Sequence, residues 1–210
     1  MISREEFDQQ LKDRAAEVLP PGERVLDSHL MAAAEDMPQP RRKHRPVVFP
    51  GERMAGFGLV ACLAVVFRIV TFDWRPIEDL YDRWELRDSF KNRPFFGGWQ
   101  SAAGQMARQF FPRTKTGVAH VMLVTERQLL IVHVQQATFG RRRLGRHVAV
   151  GWSADLRETA WVRNRRDVKS GTYQIGFVDG SWATVFIGAQ GWSRFERAFG
   201  RRLAPTDPIP

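Results

Sequence analysis

Residues 173–188 read YQIGFVDGSWATVFIG, two runs of apolar and polar residues in alternation about an Asp-Gly pair. Alternation of period two marks strands, and Asp-Gly is a strong hairpin signal because both residues tolerate positive φ angles. The stretch therefore predicts a β-hairpin with a two-residue turn at Asp179-Gly180. Tyr173, Ile175 and Phe177 lie on one side of the first strand, and Trp182, Thr184 and Phe186 alternate along the second.

Working upstream, the chain is strand-like back to Gly117. AHVMLVTERQLLIVHV (119–134) holds two strands with a tight turn near Glu126-Arg127, and HVAVGW (147–152) and RETAWVRN (157–164) supply two more. Downstream, GWSRFERAFGRRL places Trp192, Phe195, Phe199 and Leu203 at the spacing of an amphipathic helix with one face to bury. Near the other end, Ser3-Arg4-Glu5-Glu6 has the form of a capping box. Phe7, Leu11, Ala15 and Val18 follow at helical spacing until Pro20-Pro21-Gly22. GERVLDSHLMAAAE (22–35) then predicts one strand, with Val25, Asp27, His29 and Met31 alternating against Leu26, Ser28 and Leu30.

Between the first strand and Gly117 the character changes. MPQPRRKHRPVVFPGE (37–52) is proline-rich and basic and reads as a linker. Three helical patterns follow: an apolar run over 54–72, an acidic amphipathic stretch over 76–91, and Gly98–Phe111 with Trp99, Ala103, Met106 and Phe110 on one face. A helix over 54–72 would be about 28 Å long, close to the thickness of a bilayer core. A single crossing there would put strand 23–34 and strand 120–125 on opposite sides, and no later segment is apolar enough to return. Two placements fit: the three helices pack together as a small insertion, or part of the insertion enters one leaflet. The second would be anchored by Phe95, Phe96 and Trp99 and flanked by Arg41, Arg42, Lys43 and Arg45. A true span would require the strand at 23–34 to be absent.

This order of elements resembles the pleckstrin-homology-like barrel, in particular the bacterial PH and GRAM-like families. Two phrases carry the likeness: Pro21-Gly22-Glu23-Arg24-Val25-Leu26, and Thr125-Glu126-Arg127-Gln128-Leu129-Leu130-Ile131. A late strand pair split by Asp-Gly and a helix with aromatic anchors complete it. The resemblance covers 20–34 and 117–203 and implies an α+β fold: a seven-stranded, partly open antiparallel barrel capped by a C-terminal helix. An N-terminal helix (1–20), a split barrel (21–35 and 117–203), a linker with helical insertion (36–116) and a flexible tail (204–210) make up the expected organisation.

The 210 residues carry a net charge of +9, and 27 of the 32 basic residues are arginine. Part of this bias can be coding habit in a GC-rich bacterial genome, and part points to an anionic partner. Loops joining strands 1–2 and 3–4 leave an antiparallel sheet at the same rim. Arg141, Arg142, Arg143 and Arg146 are therefore expected beside the insertion, and a second cluster, Arg163, Arg165, Arg166 and Lys169, falls in the turn before the hairpin. In lipid-binding members of the family the rim holds the headgroup, so the resemblance implies a non-catalytic module docking on an anionic membrane surface. Its alternatives are a protein–protein adaptor using an apolar face of the insertion, and nucleic-acid binding through the arginine-rich loops.

Chemistry finds little support. No nucleophile elbow, zinc-protease helix, phosphate loop or dinucleotide fingerprint is present. The single cysteine, Cys62, precludes an internal disulfide and a multi-cysteine zinc site. No enzyme activity, cofactor, metal or small-molecule substrate is expected. The amphipathic N-terminal stretch lacks the apolar core of a secretory signal, so a cytoplasmic location, with peripheral attachment at the inner face of the membrane, is the expectation.

Overall fold

The computed structural model describes residues 3–34, 36–50, 94–136, 144–187 and 192–210. The apolar run over 54–72, the acidic stretch over 76–91 and Arg141–Arg143 lie outside the described residues. By contacts the chain divides into two compact units, residues 1–50 with 94–210, and 51–93. Everything below concerns the first.

In chain order its elements are α1 (Arg4–Ala16), β1 (Val25–Ala33), a 3-10 turn at Arg42–His44, β2 (Phe95–Phe96), α2 (Ala102–Arg108), β3 (Gly117–Thr125) and β4 (Gln128–Gln136). Next come β5 (Leu144–Asp155), β6 (Thr159–Asn164), β7 (Thr172–Phe177), β8 (Trp182–Ile187), α3 (Trp192–Arg197) and β9 (Arg202–Leu203). The result is an α+β fold on one large, mostly antiparallel, open sheet with strand order β5-β4-β3-β1-β8-β7-β6-β9, and β2 pairing β8. The seven strands read from the sequence are joined by two of two residues each, β2 and β9, too short for any periodicity to reveal.

β1 pairs β3 from Val25↔Thr125 to Met31↔His120 and then pairs β8. The chain thus leaves the sheet after its first strand and returns to the same sheet at β3. A bulge between Val25 and Asp27 shifts the register, so that Val25 and Leu30 pack on one face while Met31 lies on the other.

β3 and β4 are covered on both sides, which explains their nearly unbroken apolar run. Val121, Leu123, Leu130, Val132 and Val134 pack under Phe7, Leu11 and Ala15 of α1. The helix starts at the expected capping box: Glu6 N–H donates to Ser3 Oγ at 3.1 Å, and Ser3 N–H to the Glu6 carboxylate at 2.7 Å. On the opposite face Met122, Val124, Leu129 and Ile131 join the main core with Tyr173, Ile175, Phe177, Val185 and Ile187.

Two helices close this core. Phe195 and Phe199 are buried in it, as the C-terminal stripe predicts, each contributing about 1.5–3 kcal/mol. The helix itself is shorter than predicted: it stops at Arg197, and Leu203 belongs to β9. Glu196 fixes it to the sheet by accepting from Asn164 Nδ2 at 2.8 Å and Tyr173 Oη at 3.3 Å. The second helix, α2, comes from the stretch read as insertion. Ala103, Met106 and Ala107, with Phe110 just beyond, enter the main core, so 94–116 belongs to the same compact unit as the sheet.

The hairpin differs from the sequence reading by one residue. Gly176 pairs Trp182 and Ile175 pairs Ala183, so the loop is three residues, Val178–Gly180, with only Gly180 at positive φ (+79°). A one-residue slip exchanges the faces of a strand. Tyr173, Ile175 and Phe177 point into the main core, whereas Trp182 sits in a separate cluster on the other side with Trp161 and Leu203. Asp179 explains the choice. It accepts from Ser181 N–H at 3.0 Å within the loop and from Ala102 N–H of α2 at 2.9 Å, so one carboxylate shapes the turn and caps a helix.

Candidate functional site

The basic rim

The connections β1–β3 and β4–β5 leave the β3–β4 ladder at the end where Gly117 pairs Gln136, and Gln136 in turn pairs Leu144. Three stretches gather there. Val47 forms a parallel bridge with Arg113, with Arg113 N–H donating to Pro46 O at 2.7 Å and Val48 N–H to Arg113 O at 3.1 Å. Phe49 lies 6.0 Å from the His147 ring at the start of β5. Arg14 of α1 reaches across and donates to the Arg146 carbonyl at 2.8 Å.

Arg41, Arg42, Lys43, Arg113, Lys115 and Arg146 are all exposed in these stretches. Not one Asp or Glu occurs in residues 37–50, 94–118 or 144–154. Among the described residues these segments present a cationic potential with no carboxylate of their own, beside the Arg14–Glu17 ion pair of α1. Sequence reading found Arg41–Lys43 and Arg146 but missed Arg113 and Lys115. The missing signal was the Val47–Arg113 bridge, which no local pattern encodes.

The remaining expected contacts

Arg45 points away from this role, donating to Pro40 O at 2.9 Å and Gln39 Oε1 at 3.0 Å. Phe95 and Trp99, expected as contacts for a membrane or partner, stack on each other at 5.1 Å and pack against the main core. Phe96 is 39% exposed and stacks on Trp182 at 6.4 Å.

The second cluster is not one site. Arg163 is buried, lies 5.7 Å over the Trp161 ring and donates to the Asp207 carbonyl. Arg165 is also buried and grips Asp167 with two nitrogens, at 3.0 and 3.1 Å. The hydrogen bonds from Arg165 hold the Asp167 carboxyl below its usual range. Arg166 and Lys169 are exposed, and the Lys169 ammonium stands 5.4 Å over the Phe186 ring. Arg163 and Arg165 thus serve packing and turn geometry, because a strand places alternate residues inward whatever their charge.

The histidines

His120 and His133 face each other across β3 and β4 with rings 5.2 Å apart, and His133 Nε2 lies 3.1 Å from the Gln109 carbonyl. Burial, then the neighbouring His133, lowers the His120 pKa to about 4, while burial lowers that of His133. Both are neutral near pH 7. His29 Nε2 approaches Asp27 Oδ2 at 2.8 Å. Among the described residues no group of three or more His, Cys, Asp or Glu side chains is arranged to hold a metal ion. Among the same residues no helix is long and apolar enough to cross a membrane.

Compared with known proteins, the chain matches no family model, no curated protein and no solved structure.

Proposed function

We propose that this protein is a non-catalytic docking module, a pleckstrin-homology-like split barrel that uses its basic rim to settle on an anionic phospholipid surface. The architectural half of the reading is supported by strand order and by a short link. β5 and β6 stand six steps apart in the sheet, roughly 29 Å if the sheet were flat. Only residues 156–158 connect them, a reach of at most about 14 Å. The sheet therefore has to curl until its two ends approach, and Leu156 N–H bonds Arg127 O while Val178 N–H bonds Glu158 O on either side of that link.

The functional half rests on one observation, the Val47–Arg113 bridge, which joins the stretch carrying Arg41–Lys43 (37–50) to the one carrying Arg113 and Lys115 (94–118), neither with a carboxylate of its own, while Phe49 against His147 brings in the strand that carries Arg146. Each basic residue near an anionic bilayer contributes about 1 kcal/mol, so several acting together give useful attachment.

Flotation with vesicles of neutral lipid alone and with anionic lipid added tests the reading. Binding should require the anionic lipid and weaken with salt. Arg113→Glu with Lys115→Glu should reduce it at least tenfold with the melting temperature unchanged. Equal binding to neutral vesicles, or no effect of the double reversal, would overturn it.

A further inference from the structure

Within the basic rim one side chain is apolar and yet 52% exposed, that of Val47. Its neighbours fix it there. In the bridge to Arg113 the two residues lie opposite one another, and opposed residues of a strand pair project to the same side. Val48, next in the chain, is buried and donates its N–H to Arg113 O at 3.1 Å, which anchors the stretch with Val47 facing outward. Arg113, and Lys115 two residues beyond it, are exposed as well.

The tip is also held in shape. Pro46 and Pro50 bracket it, and proline fixes its own φ. Among the described residues Phe49 alone, glycine apart, has a positive φ (+53°), and that turn lays its ring 6.0 Å from His147 of β5. An apolar side chain standing beside an arginine, with Arg41, Arg42 and Lys43 exposed just upstream, has the chemistry of a segment lying at a bilayer interface. There the basic groups meet phosphate and the apolar one passes beneath it. All six basic side chains of the rim are exposed and form an open surface, whereas a site for one small molecule encloses its polar groups in a cleft.

We propose that the rim binds the bilayer surface itself and not a single headgroup, with Val47 entering the interfacial layer while Arg113 beside it pairs with phosphate. The inference rests on the docking reading above and names what that reading leaves open. Surface charge density and access to the acyl boundary select the partner, and headgroup stereochemistry does not. The apolar contact persists where salt has weakened the charges, because salt screens exposed charges and leaves apolar burial in place.

The test uses the full chain with Cys62→Ser and Val47→Cys, whose single thiol carries an environment-sensitive fluorophore, and vesicles of phosphatidylcholine with or without phosphatidylglycerol. On anionic vesicles the emission should shift to the blue and rise at least twofold. The same label at Arg127→Cys, exposed in the turn at the other end of β3–β4, should not change. Val47→Ser should weaken binding at least threefold and keep the salt dependence of the parent, whereas Arg113→Glu with Lys115→Glu should flatten that dependence. Phosphatidylserine at the same surface charge should serve as well as phosphatidylglycerol, and glycerophosphoglycerol free in solution should not compete. If the parent binds anionic vesicles but the label at 47 stays unshifted, or Val47→Ser binds like the parent, the inference is overturned and the docking reading stands. Competition by the free headgroup overturns it in the same way. A parent chain that does not bind anionic vesicles overturns both.

Discussion

Thr125 donates its hydroxyl to the Glu23 carboxylate at 2.7 Å, joining residues 102 positions apart in the chain. The same oxygen accepts from Arg127 N–H at 3.3 Å and Gln128 N–H at 2.9 Å, so it also shapes the β3–β4 turn. The phrases PGERVL (21–26) and TERQLLI (125–131) are therefore bonded to each other. Thr125→Val should cost about 1–2 kcal/mol, since it leaves turn amides and a part-buried carboxylate without their partner. Thr125→Ser should recover most of that in urea titrations.

Asp179 ties the β7–β8 loop to the start of α2. Burial pushes its carboxyl up, but hydrogen bonds from Ser181 and Ala102 outweigh this and hold it below the usual range. Asp179→Ala should cost about 1–2 kcal/mol, a typical loss for an N-terminal cap. Asp179→Asn keeps an acceptor and should cost less. The contribution is present above the ordinary carboxylate range and is lost as pH falls through the lowered value. Thermal melts of both variants at pH 7 and pH 3 check the sign.

Gly176 must lack a side chain for Trp161 to lie over β7. Gly176→Ala should destabilise by roughly 1–3 kcal/mol through overpacking. It should also shift the tryptophan emission, because Trp161 has to move. An alanine variant with unchanged emission and stability would show that the ring does not sit there.

His120 and His133 make stability fall in acid. Their folded-state affinities for protons are depressed from 6.5, to about 4 for His120, so the unfolded chain binds protons first as pH drops. Their contribution is complete above about pH 6.5 and drains away toward pH 4. For His120 it is on the order of 3 kcal/mol. Urea denaturation at steps between pH 7 and pH 4.5 should show the decline, and His120→Gln should flatten it.

What the sequence determined by itself is whatever local periodicity and turn chemistry can express. The capping box of α1, the seven longer strands, the two-residue Glu126-Arg127 turn and the aromatic anchors Phe195 and Phe199 were all legible, since each depends on residues near one another in the chain. Burial on both faces of β4 was legible too, in the unbroken run LLIVHV. The register of the last hairpin was not. Asp-Gly permits both a two- and a three-residue loop, and the decision fell to Asp179 reaching Ala102, 77 residues away. The same cause put Arg163 and Arg165 inside, recruited Arg113 and Lys115 to the rim, and laid Ile209 against Trp161 and Trp182. In every such case a charge or an apolar side chain met its partner only after the sheet had formed, and long-range proximity has no signature in a local pattern.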